Sequence, residues 1–96
     1  MDIKELDLIR QEINKIDDEI IELFKIRMQA VRQVANFKIK NNMEVLDTNR
    51  EGFILNKYTS DIKEDDIKKE VTEFIQAILK ISRDAQCEII NKNEKG

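Results

Sequence analysis

The chain has 96 residues, enough for one domain spanning 1–96 and too few to bury a large core alone, so self-association is expected. Seventeen Lys/Arg against twenty Asp/Glu leave a formal charge of −3, with no sequence-wide attraction to nucleic acid or an anionic membrane. The absence of His excludes Ser–His and Cys–His nucleophile systems and His-ligated metal sites, and the absence of Pro with only Gly52 and Gly96 favours long helices over a turn-rich β fold.

From Leu6 the apolar positions run Ile9, Ile13, Ile16, Ile20 and Leu23, then Ala30, Val34 and Phe37. Steps of three and four without a breaker predict one helix over about 4–40, some 50–55 Å long, with Asn41-Asn42 as its stop. A second, short helix is predicted over about 48–59. Thr48 and Glu51 fit a capping box at its start, with Asp47 as an alternative cap, and Gly52 weakens its interior. Phe53, Ile54, Leu55 and Tyr58 form its apolar side.

Thr59-Ser60-Asp61 reads as a turn, and the acids of Lys63-Glu64-Asp65-Asp66 suit the positive end of a third helix over about 63–90. Its apolar face runs Ile67, Val71, Phe74/Ile75, Ile78, Ala85 and Ile89, leaving Asn91–Gly96 as a frayed polar tail. Cys87 cannot form an internal disulfide and reads as a small, part-buried residue of this helix. No apolar stretch reaches the roughly 18 residues of a membrane span, and Met1-Asp2-Ile3-Lys4-Glu5 does not read as a signal peptide, so a cytoplasmic location is expected.

The fold class is therefore all-α: long, short and long helices. The first is too long for the other two to cover, so much of its stripe must meet a second copy in a helical homodimer.

Some polar residues fall where the pattern asks for apolar ones. Counting on by four from Leu23 reaches Arg27, and eleven residues later Lys38 returns to nearly the same face, about 16 Å along the axis. Two core-facing cations call for an anion between them. The alternative is that they snorkel or pair with a partner's acids. Arg10 lies about 25 Å before Arg27, too far to share a small ligand in cis, so it either enters a partner's site across an antiparallel dimer or is simply solvated.

On the third helix Ser82 and Gln86 place two hydrogen-bonding groups on the seam, as a polar pocket or as a back-bonded Ser with a bridging Gln. Asp47, Arg50 and Glu51 open the second helix, where capping explains them and free N–H groups also suit a ligand oxygen.

Ile9-Arg10-Gln11-Glu12-Ile13 with Ile16-Asp17, Arg27, Lys38, Val45-Leu46-Asp47-Thr48-Asn49-Arg50-Glu51, and Ser82 with Gln86 together resemble the all-helical (AroQ) class of chorismate mutases over residues 5–90. The resemblance implies three helices per protomer, intertwined in a homodimer with two shared sites, no cofactor and no metal. It implies that Arg27 and the partner's Arg10 bind the two carboxylates of chorismate. Lys38 would contact a carboxylate and the ether oxygen, and Gln86 that same oxygen. Glu51 and the backbone at Asp47 would hold the ring hydroxyl, with Arg50 and Ser82 supporting the carboxylates. Gly52 departs from the pattern, where a larger helix former is usual. An isochorismate pyruvate lyase of the same fold and a non-catalytic helical dimer module are the alternatives. Chorismate to prephenate is a unimolecular rearrangement, so a chain without His is no obstacle.

Overall fold

A computed structural model describes residues 2–95; Met1, the first residue of the segment not read as a signal peptide, and Gly96, the last of the expected polar tail, lie outside it. Three helices follow in order: α1 (Ile3–Lys40), α2 (Thr48–Thr59) and α3 (Asp65–Lys95). No strand occurs among the described residues, so the fold is all-α as the periodicity predicts. Helix α3 continues to Lys95 rather than ending near Ile90, so the expected frayed tail is corrected. Neither Pro nor Gly interrupts Asn91–Lys95, which leaves nothing to stop propagation.

Each helix begins on an acidic cap or first turn. Asp2 Oδ1 accepts from the Glu5 N–H at 2.8 Å and starts α1. Asp47, with φ −124° and ψ 91°, accepts from the Arg50 N–H at 3.0 Å and starts α2. This corrects the Thr48–Glu51 capping box: Thr48 is already helical, so the residue before it is the cap. Asp65 and Asp66 occupy the first turn of α3.

Contacts divide the chain into two units, Met1–Ala30 and Val31–Gly96. In the first, Met28 is the one buried residue among those described. Ile13, Ile16, Ile20, Leu23 and Ile26 stay between 42% and 66% exposed, so within this unit the stripe is open. In the second unit α2 packs on α3. Its buried residues come from all three helices: Val31 and Ala35 of α1, Thr59 of α2, and Leu79, Ser82 and Gln86 of α3.

Two details of the apolar pattern change. Toward its C-terminus α1 buries Met28, Val31 and Ala35, whereas the predicted seam residues Val34 and Phe37 are 45% and 59% exposed. Apolar residues thus occupy two faces of this helix. On α3 the deepest apolar residue is Leu79, beside the predicted Ile75–Ile78 path. Cys87 is exposed, which corrects its part-buried reading: it follows Gln86, and it is Gln86 that points inward.

Gly52 sits inside α2, and a Cβ built there meets nothing within 4 Å. Gly52→Ala should therefore raise stability by about 0.5–1 kcal/mol, because Ala restricts the unfolded chain without a clash. Urea unfolding at fixed protein concentration checks this, and a lower midpoint would contradict the open space seen at the site.

Candidate functional site

Lys38 lies where α1 stops. The Met43 N–H donates to the Lys38 carbonyl at 2.9 Å and the Asn42 N–H to the Ile39 carbonyl at 3.4 Å. With Asn42 at φ 53°, this is a Schellman stop whose left-handed position is taken by Asn, the non-glycine residue best suited to it. The helix ends there, and Lys38 Nζ donates to the Val45 carbonyl at 2.7 Å. Lys38 is half-buried, and one contact leaves two of its ammonium N–H groups for other acceptors.

Two residues beyond Val45 comes the cap of α2. Asp47 uses its side chain on the Arg50 N–H and its carbonyl on the Glu51 N–H, 3.0 Å each. The Arg50 side chain lies over the Phe53 ring, its guanidinium carbon 5.5 Å from the centroid, and is exposed. Glu51 does not turn back to the helix start. It reaches across to α3, where Arg83 Nη1 donates to Glu51 Oε1 in a half-buried ion pair. Arg83 escaped the sequence reading because 32 positions separate it from Glu51 and it stands one place off the seam. Only the packing of α2 on α3 reveals it.

On α3, Ser82 and Gln86 are both buried, 6% and 7% exposed. The Ser82 hydroxyl donates to the Ile78 carbonyl at 2.7 Å, the back-bond that a buried helical Ser adopts. Gln86 differs. Its Oε1 is buried with no hydrogen-bond partner, a costly state for an amide in a helix core. A half-turn of the amide presents its N–H donors in the same direction.

The second unit thus gathers Lys38, Asp47, Arg50, Glu51, Ser82 and Gln86, with Arg83 added. Arg10 and Arg27 belong to the first. Arg10 is exposed and Arg27 half-buried. No group of His, Cys, Asp and Glu among the described residues could hold a metal ion, and no helix there is long and apolar enough to cross a membrane. The arrangement offers cations and hydrogen-bonding groups. That suits binding and electrostatic stabilisation of an anion more than covalent chemistry.

Residues 9–87 match the family described as chorismate mutase type II. The chain belongs to that family. Two bifunctional chorismate mutase/prephenate dehydratases, from Buchnera aphidicola subsp. Schizaphis graminum (strain Sg) and Buchnera aphidicola subsp. Acyrthosiphon pisum (strain APS), are 36% and 34% identical to it over 84 and 86 residues. These alignments cover 86% and 88% of this chain, which spans 22% of the length of each relative. No solved structure matches the chain at a significant level. The all-helical architecture is that of the chorismate mutase type II family, as the sequence motifs imply.

The unpartnered oxygen of Gln86 has a measurable consequence. Gln86→Met, similar in length and without polar atoms, should stabilise the unliganded protein by about 1 kcal/mol, since an unmet buried acceptor costs about 1–3 kcal/mol. Urea unfolding reads this. Destabilisation would show that the amide is satisfied.

Proposed function

We propose that this chain catalyses the rearrangement of chorismate to prephenate in the aromatic amino-acid (Phe/Tyr) route, in the cytoplasm, as a homodimer with shared sites. The observation that carries the reading is the buried Gln86, whose amide has an open hydrogen-bonding position on the seam of α3. Family membership and a residue of the expected type at each position that would carry the chemistry support it.

The reaction is intramolecular: the allylic C–O ether bond breaks as a C–C bond forms, the enolpyruvyl group becomes a pyruvyl group, and no co-reactant is consumed. The protein has two tasks. It holds the compact conformer with the reacting carbons close, and it stabilises negative charge growing on the ether oxygen. Lys38 and Gln86 meet the second task as fixed donors, Lys38 through an ammonium already steadied by the Val45 carbonyl. Arg27 binds one carboxylate, Lys38 shares in carboxylate binding, and Arg50 and Ser82 support the carboxylates. Glu51 accepts from the ring hydroxyl, alongside the backbone at Asp47.

Arg10 enters from the other protomer. Within the first unit it lies 17 residues before Arg27, about 25 Å along one helix, beyond the span of a small substrate. The second copy has its own argument: the uncovered stripe from Ile9 to Ile26 needs an apolar partner of matching length, and an antiparallel copy of α1 supplies one. The relatives' printed names pair the mutase with a prephenate dehydratase, an activity that consumes its product.

Purified protein mixed with chorismate should convert it to prephenate. Inertness toward chorismate, with isochorismate yielding pyruvate, would replace the mutase by a lyase, and inertness toward both would leave a binding module. Lys38→Ala or Gln86→Ala should lower kcat about 10²–10³-fold with the fold retained, and near-normal turnover would sink the electrostatic account. Mixed Arg10→Ala and Arg27→Ala protomers should regain activity, because a heterodimer rebuilds about one intact site. No recovery in heterodimers shown to form would contradict the shared site.

A further inference from the structure

We propose that Arg83 is a positioning residue for this reaction: by engaging Glu51 Oε1 it aims the carboxylate away from the start of α2 and leaves Oε2 for the substrate's ring hydroxyl. The proposal rests on the mutase reading above.

Glu51 has two competing destinations. Its place in the first turn of α2 invites its carboxylate back to the helix start, where N–H groups and the positive dipole end attract an anion. In the structure Asp47 serves that start, and Glu51 reaches α3 instead. Arg83 is the group it meets. The pair is half-buried, with side-chain exposures of 33% and 23%, and it bridges two helices. Three other ion pairs, Lys25–Glu22, Lys80–Asp84 and Lys92–Glu88, each join neighbouring turns of one helix at 64–75% exposure, where solvent leaves them little effect.

Position explains why the contact bears on the site. Arg83 follows the buried Ser82 and precedes the buried Gln86 by three residues, so its neighbours on α3 are two of the proposed substrate contacts. An ionised carboxylate accepts at both oxygens, and a guanidinium holding one of them restricts rotation of the other. Arg83 therefore links the hydroxyl acceptor on α2 to the frame of α3 without touching substrate. Lys could supply the charge but not the planar fork.

The test is steady-state kinetics with chorismate at 25 °C, alongside circular dichroism and melting, on wild type, Arg83→Gln, Arg83→Lys, Glu51→Gln, the Arg83→Gln/Glu51→Gln double variant and Lys80→Ala. Arg83→Gln should lower kcat/KM about tenfold, chiefly through KM, because the hydroxyl contact is remote from the breaking bond. Arg83→Lys should fall between it and wild type. In the Glu51→Gln background the Arg83 change should cost less than about twofold, since its partner is already altered. Lys80→Ala, which removes a cation one turn away on α3, should leave both constants unchanged.

A melting temperature lowered by Arg83→Gln with wild-type kcat and KM would overturn the proposal in favour of a structural staple. Full multiplication of the losses in the double variant would overturn it as well. If Arg83→Gln fails to fold, Arg83→Lys decides, and a wild-type KM there overturns the proposal. Wild-type protein inert toward chorismate would instead overturn the functional reading, and this inference with it.

Discussion

Thirty residues of a single helix cannot bury their own apolar face, and much of this molecule follows from that constraint. Residues in an isolated helix meet only neighbours three and four places away, so Ile13, Ile16, Ile20 and Leu23 remain open to water whatever their rotamers. Each exposed Ile or Leu forgoes up to about 1.5–3 kcal/mol of burial, and several in a row give a strong drive toward an apolar partner. The same rod sets the geometry of binding. A helix long enough to carry Arg10 and Arg27 about 25 Å apart keeps both from one small molecule, and in the proposed site a second copy brings the other cation. In the proposed dimer, stability and site completion have one cause.

The second unit works differently, through short-range polar contacts. Lys38 contributes at two levels: its carbonyl closes the Schellman stop of α1 and its ammonium takes the Val45 carbonyl. The end of the helix and the placement of a cation are therefore one event. Beyond it, Asp47 caps α2, which frees Glu51 to cross to Arg83. Among the described residues the Gln86 oxygen is the buried side-chain acceptor left without a hydrogen-bond partner. An unmet buried acceptor lowers stability, and its persistence on a packed face fits a protein whose full hydrogen bonding is completed by a ligand.

Much of this was legible in residue order. Unbroken periodicity and the lack of Pro marked three helices, and Asn41-Asn42 marked the first stop through the tolerance of Asn for left-handed backbone. Polar residues on apolar seams singled out Arg27, Lys38, Ser82 and Gln86, and the first two emerge half-buried and the last two buried. What escaped depended on contacts between distant segments or on competition between near-equal choices. Arg83 is visible only once α2 lies on α3. Asp47 and Thr48 are both good caps, and their order along the chain decided between them. Periodicity located α1's apolar residues but could not say which of two faces its own chain would cover. Val31 and Ala35 went inside and Val34 and Phe37 did not.

The central claim is that a second copy covers the stripe of α1. Sedimentation equilibrium of the full chain at micromolar concentration tests it most directly, because mass is read without reference to activity or shape. The account predicts a single species of twice the 11.4 kDa chain mass. A folded, helical species at the mass of one chain across the concentration range would contradict it.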